Sequence, residues 1–411
     1  MTTLPQELVE VIVDFLKDDK QTLRSCLLSA RCFVERVRTH LFHDVTISSP
    51  QCLTVLLALF ESSPSLPAMI RKVDFIGQSF IAPADWIFID IEIQRVFKSL
   101  SNVEEVVIED VIISRLTEIL RPSNTFPSKT HIRHLTLDDV IMGSGDDLFT
   151  LLCNLPSLKY LNSGLVLFRD LRSTMATLHS PPQQLRLETL ELSVNVNHSV
   201  VMFLLEHLTD ILSTLKHLRV ACVNVGELQL VRLILSQTRE SLRTAYIGPM
   251  ILGNAESAQH VNDPILLLSL SHIEYLTIVI DETDPHTSAL KYWTENFATD
   301  DEDFNLKDLT INLKVQVERS DSTFSASFPM AAQWSALEAA LCRSQMKKLC
   351  RVKLRLVASP EGFEHDPQLE TLFFRLKDII ENNCQLLMSR GLLRVGKSLS
   401  FTLDISLTVI Y

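Results

Sequence analysis

One six-residue pattern, apolar-x-x-apolar-x-apolar, recurs eleven times along the chain. Its copies begin at Phe42 (FHDVTI), Ile70 (IRKVDF), Val103 (VEEVVI), Ile132 (IRHLTL), Leu158 (LKYLNS), Leu187 (LETLEL), Leu215 (LKHLRV), Leu242 (LRTAYI), Ile273 (IEYLTI), Leu306 (LKDLTI) and Leu349 (LCRVKL). The mean spacing is about 31 residues, a period expected of strand-plus-helix repeats. Ser163 and Ala245 stand at apolar positions of two copies. The alternating end of each copy reads as a half-buried strand. One strand and one helix cannot bury their apolar sides alone, so consecutive units must stack and their strands must form one parallel sheet. The predicted class is therefore α/β, with about eleven parallel strand–helix repeats.

Between the copies lie stretches of helical period: 50–61, 85–100, 146–155, 199–212, 228–238, 330–344 and 367–389. Ser49-Pro50, Asp263-Pro264 and Asp366-Pro367 each pair a capping side chain with a first-turn proline. Ile87, Ile89, Ile91 and Ile93 alternate at period two, so part of 85–100 reads as strand. Residues 281–328 read as irregular acidic, Ser-rich loops, and 399–409 as a closing strand with Leu403, Ile405 and Leu407 on one side.

If the copies pair in register, the residues flanking each central apolar position share the solvent side. From the second repeat on, these are Lys72/Asp74, Glu105/Val107, His134/Thr136, Tyr160/Asn162, Thr189/Glu191, His217/Arg219, Thr244/Tyr246, Tyr275/Thr277, Asp308/Thr310 and Arg351/Lys353. The functional reading is a recruitment face with Tyr160, Tyr246 and Tyr275 as anchors and His134, His217 and Arg219 beside them, because tyrosines and arginines dominate binding hot spots. The plain reading is a solvated sheet face.

The first 47 residues differ. LPQELVEVIVDFL (Leu4 to Leu16) opens with Pro5, read as a first-turn residue, and carries Glu7 and Glu10 near its positive end. Leu4, Leu8, Val11 and Phe15 repeat at helical spacing, and so do Val9, Ile12, Val13 and Leu16. A surface helix should be apolar on one face only. Helical stretches at 22–30 and 31–42 follow, and 21 of the 44 residues from Leu4 to Ile47 are apolar. Three short helices cannot bury that much between them.

Leu4-Pro5, Glu7-Leu8, Ile12, Leu16, Leu23, Cys26-Leu27, Arg31, Phe33 and Leu41-Phe42 together resemble an F-box, most closely the F-box-like proteins of mushroom-forming fungi. The family often has Trp where Phe33 stands, and Ser29-Ala30 replaces a more usual Val-Cys pair. The downstream pattern resembles leucine-rich repeats, irregular ones, since the Asn that usually follows the strand has Asn195 as its one candidate. The resemblance implies an F-box at 1–47 continuous with a leucine-rich-repeat-like solenoid at 48–411. It implies a substrate-recruiting receptor of an SCF-type ubiquitin ligase, with Leu4, Pro5, Leu8, Ile12, Leu16, Leu23, Leu27 and Arg31 contacting or framing a Skp-type adaptor and, through it, a cullin. The repeats would then hold a target protein. The alternative is a ligase-independent interaction scaffold whose N-terminal helices only cap the solenoid.

Composition narrows the remaining classes. The net charge of −12 argues against nucleic acid or an anionic membrane as partner, and −7 of it falls in 281–305. No apolar run reaches the ~18 residues of a membrane span, and the N-terminus has no signal-peptide pattern. The eight cysteines form no C-x-x-C pair and read as small buried hydrophobes in a reducing compartment, so cytoplasm or nucleus is expected. With ten glycines there is no G-x-G-x-x-G or P-loop. His131-x-x-His134 and His40-x-x-His43 lack further ligands for zinc, Asp300–Asp303 lacks a calcium-loop pattern, and 143–146 lacks the spacing of a nucleophile turn. No cofactor, metal or catalysis is expected.

Overall fold

The structure, a computed structural model, describes residues 5–77, 91–113, 131–170, 185–192, 198–207, 209–221, 225–248, 267–281, 289–299, 303–315, 318–320, 323–325, 331–358, 374, 377–392 and 403–405. The chain forms two compact units, Met1–Leu187 and Glu188–Tyr411. All eleven copies of the six-residue pattern fall on parallel strands, five in the first unit and six in the second.

The first unit opens with three helices, α1 (Gln6–Phe15), α2 (Lys20–Ser29) and α3 (Val34–Leu41), with a short 3-10 turn at Arg31–Phe33 before the third. Pro5 sits at the N-cap of α1 with φ −57° and ψ 143°, one position outside the first turn. Its carbonyl accepts from the amides of Leu8 and Val9 at 3.1 and 3.2 Å. Asp19 caps α2 by accepting from the Gln21 and Thr22 amides. The strand β1 (Asp44–Ile47) begins three residues after α3 ends, with no linker between them.

Strand β1 pairs with β2 (Lys72–Ile76), β2 with β3 (Glu105–Glu109), β3 with the later strand β5 (His134–Asp138), and β5 with β7 (Tyr160–Ser163). The register places Asp44, Lys72, Glu105, His134 and Tyr160 in one row. Val73, Phe75, Val106, Ile108, Leu135, Leu137 and Leu161 point the other way and are buried, the alternation that a pleated strand imposes. Ser163, at an apolar position of its copy, is buried as well. Helix α4 (Pro50–Ser62) covers this side with Leu53, Leu56 and Phe60, and begins on the Ser49 cap and first-turn Pro50 read from the sequence. Asp263-Pro264 and Asp366-Pro367 lie outside the described residues.

Two features were not expected. Residues Ile91–Ser99 form a helix, α5, with Val96 and Phe97 buried, so the period-two isoleucines do not make a strand there; Ile87 and Ile89 lie outside the described residues. The first unit also carries a second, three-stranded parallel sheet made of β4 (Ile112–Ile113), β6 (Val140–Ser144) and β8 (Val166–Asp170). The chain reaches β4 and β6 through left-handed corners at Asp110 (φ 56°) and Asp139 (φ 50°), a conformation aspartate tolerates. At the corresponding corner after β2, a Cβ on Gly77 would stand 1.8 Å from the Asp110 carbonyl oxygen. Ser144 then caps α6 (Gly145–Cys153) in a capping box with Asp147.

In the second unit β9 (Thr189–Leu192), β10 (His217–Val220), β11 (Thr244–Ile247), β12 (Tyr275–Asp281), β13 (Asp308–Val315) and, after a hairpin, β16 (Arg351–Ala358) pair in that order, all parallel. Helices α7 (His198–His207), α8 (Thr209–Leu212), α9 (Val225–Gln237), α10 (Ala289–Thr299), α11 (Ala331–Leu341) and α12 (Gln385–Ser389) complete the repeats. Residues 281–328 are not all loop. Leu290, Trp293 and Phe297 lie at helical spacing, and their burial with Tyr292 holds α10 in place. Glu318–Ser320 (β14) and Thr323–Ser325 (β15) form the antiparallel hairpin. Of the expected closing strand, Leu403–Ile405 (β17) pairs antiparallel with β16, and its flanking residues lie outside the described set. Asn195 lies outside it too.

Candidate functional site

Helix α1 divides its apolar residues between two faces. Val9 and Val13 are buried and Leu16 is half-buried. Val13, Leu23 and Val37 form the small core, with Leu16, Cys26, Leu27, Phe33 and Leu41 packed on it. The i, i+3, i+4, i+7 row of Leu8, Val11, Ile12 and Phe15 faces solvent, with exposures of 51%, 49%, 45% and 85%. On α2, Leu28 is 87% exposed. Five of the twelve large hydrophobic side chains exposed among the described residues thus lie within the first 28, a concentration beyond scattered surface apolarity.

The rotation of α1 is fixed by a polar clip. Asp14 accepts two bonds from the Arg36 guanidinium, at 2.6 and 2.7 Å, and faces His40 Nε2 at 2.7 Å. These bonds to Arg36 and His40 hold the Asp14 carboxyl down at about 2. A fork-to-carboxylate bond fixes geometry as well as distance, so it sets which side of α1 faces α3.

Of the eight residues assigned to adaptor contact, Leu8 and Ile12 are on the exposed row, and Pro5 and Arg31 are exposed nearby in sequence. Leu16 and Leu27 are half-buried supports, and Leu23 is wholly buried, so it frames the surface without forming part of it. Leu4 lies outside the described residues. Val11, Phe15 and Leu28, outside that set, are exposed as well, and Val11 and Phe15 complete the helical row that starts at Leu8.

The strand-face residues divide between the units. In the first, His134 and Tyr160 are register partners whose rings meet edge-on with centroids 5.5 Å apart. Thr39, His43, Met69, Arg71, Lys72, Glu104, Glu105 and His134 line an open cleft of about 620 Å³ at the leading edge of these strands. Its charges answer one another: Arg71 with Glu104 at 3.3 Å, and Lys72 with Glu105 at 2.9 Å and Asp74 at 3.6 Å. In the second unit His217, Arg219, Tyr246 and Tyr275 lie on three adjacent strands, with the Arg219 guanidinium 4.8 Å from the Tyr246 ring centre.

The remaining chemistry is sparse. Among the described residues no group of three or more His, Cys, Asp or Glu is arranged to hold a metal ion, and no helix is long and apolar enough to cross a membrane. Seven described cysteines are free. They are not uniformly buried: Cys384 is, while Cys32 is exposed. Burial pushes the Cys384 thiol up to about 12 and Cys153 to about 11. Cys222 lies outside the described residues. A scan against protein-family models finds no match to this chain, and a search of curated proteins finds none either.

Proposed function

We propose that this chain is a non-catalytic recruiting subunit of an SCF-type ubiquitin ligase. Its three N-terminal helices act as an F-box that docks on a Skp-type adaptor, and its strand faces, as those of a leucine-rich-repeat-like solenoid, take a target protein. The observation that carries this reading is the row Leu8, Val11, Ile12 and Phe15, left in solvent by a helix whose opposite side already serves the small core. A helix that only capped the repeats would turn its apolar side inward, so this row favours docking over capping. The contribution to ubiquitin transfer is proximity, holding target and ubiquitin-loaded enzyme together. The receptor itself does no bond chemistry.

Co-purification of the full chain with a Skp-type adaptor tests the proposal. The wild-type chain is expected to retain the adaptor through size-exclusion chromatography, and the double variant Leu8→Asp/Ile12→Asp to lose it while still eluting as a folded protein. Failure of the folded wild-type chain to retain any adaptor would overturn it.

A further inference from the structure

Although the chain carries a net charge of −12, one part of the second unit is cationic. Strands β10 and β11, with the residue leading into each, present Lys216, Arg219 and Arg243 and no carboxylate. Lys216 is bonded to Glu188 at 3.2 Å and Lys307, leading into β13, to Glu274 at 2.7 Å, whereas the Arg219 guanidinium lies over the Tyr246 ring. The carboxylates that answer these cations come from the flanking repeats and sit lower. Arg219 is 58% exposed against 22% for Glu191, and Arg243 50% against 23% for Glu274. Both pairs stand 3.7 Å apart, too long for a hydrogen bond, so neither guanidinium has its donors committed to its carboxylate.

From these positions we infer that the face of β10 and β11 docks an extended acidic segment of a target protein, rich in aspartate and glutamate. This rests on the recruiting role proposed above and names the chemistry of what is recruited. Neighbouring strands are ~4.8 Å apart, so crossing from β9 to β12 over the two cationic strands covers about 14 Å, or about four residues of extended chain. Arg219 and Arg243 supply charge-assisted bonds to carboxylates, and Tyr246 supplies flat apolar surface beside them. Glu191 and Glu274 bound the patch on either side and limit its reach along a polyanion. That favours a short acidic peptide over a nucleic-acid strand, which needs a longer cationic track.

Fluorescence anisotropy of a labelled twelve-residue Asp/Glu-rich peptide, titrated with the full chain, tests this. Binding at about 100 μM protein or tighter is expected, weakening steeply between ~50 and ~500 mM salt. The double variant Arg219→Glu/Arg243→Glu should weaken it about tenfold or more, and Tyr246→Ala severalfold, with unchanged far-UV circular dichroism because all three side chains reach solvent. The variant Leu8→Asp/Ile12→Asp should bind the peptide as wild type does, which separates failure of this inference from failure of adaptor docking. No binding by the folded chain, equal binding of a Lys/Arg-rich peptide, insensitivity to the charge reversal, or tighter binding of a single-stranded DNA oligonucleotide would each overturn it.

Discussion

Helix α1 and the parallel strands face the same requirement and meet it in opposite ways. Each strand of the long parallel rows alternates, so its apolar half is buried and its other half is mostly polar, with ion pairs between some neighbouring repeats. Helix α1 carries two apolar rows, and the chain covers one of them. A strand's pleat allows only two faces, which leaves little room for a surplus. A helix can hold an apolar stripe over more than half its circumference, so an unmet apolar surface is concentrated there. The contrast teaches that the two exposed surfaces differ in kind: one is apolar and at the N-terminal helices, the other polar and aromatic along the strands.

The contrast breaks first at the buried aromatics. Trp293→Ala, which empties a wholly buried site, should cost about 3–5 kcal/mol in urea unfolding. Phe15→Ala, at an 85% exposed site, should stay within about 0.5 kcal/mol of wild type. A large loss at Phe15 would mean that the α1 row is covered by the chain itself.

The corner at Gly77 gives the next effect. Gly77→Ala puts a methyl against the Asp110 carbonyl, a backbone atom that cannot step aside, and should cost about 1–3 kcal/mol by the same melt.

The Asp14 clip gives a smaller, pH-dependent effect. Its folded pKa lies below the unfolded value of 3.8, so its stabilisation is fully present above about pH 4 and is lost as pH falls through about 2. Acid titration followed by circular dichroism should show Asp14→Asn flattening that part of the curve. At neutral pH the variant should cost at most about 1 kcal/mol, because the Asp14 and Arg36 side chains are both more than a third exposed. The smallest effect concerns thiols: a soluble maleimide should modify Cys32 in the folded chain and leave Cys384 and Cys153 unmodified until denaturant is added.

Much of this was readable in the sequence because strand periodicity is local. Every copy of the six-residue pattern became a parallel strand, and the in-register rows from Lys72 to Tyr160 and from Thr189 to Arg351 follow from one repeated offset. What was missed has physical reasons. In α10 the acids around Leu290, Trp293 and Phe297 hid a helical row that tertiary burial stabilises. The second sheet rests on left-handed corners at Asp110 and Asp139, and aspartate marks such corners less plainly than glycine. On α1, two rows of equal apolarity gave no local reason to choose which one turns inward. The Asp14–Arg36 bond, between residues 22 positions apart, joins α1 to α3 on the side that turns inward.

The central claim is that the outer row of α1 is a docking surface for an adaptor. Isothermal titration of the full chain with a purified Skp-type adaptor, repeated at several temperatures, tests it most directly. The account predicts saturable one-to-one binding with a negative heat-capacity change, the mark of apolar burial. It also predicts loss of that heat in Leu8→Asp/Ile12→Asp and in Phe15→Asp. Undiminished binding by those variants, or no heat from the folded wild-type chain, would contradict it.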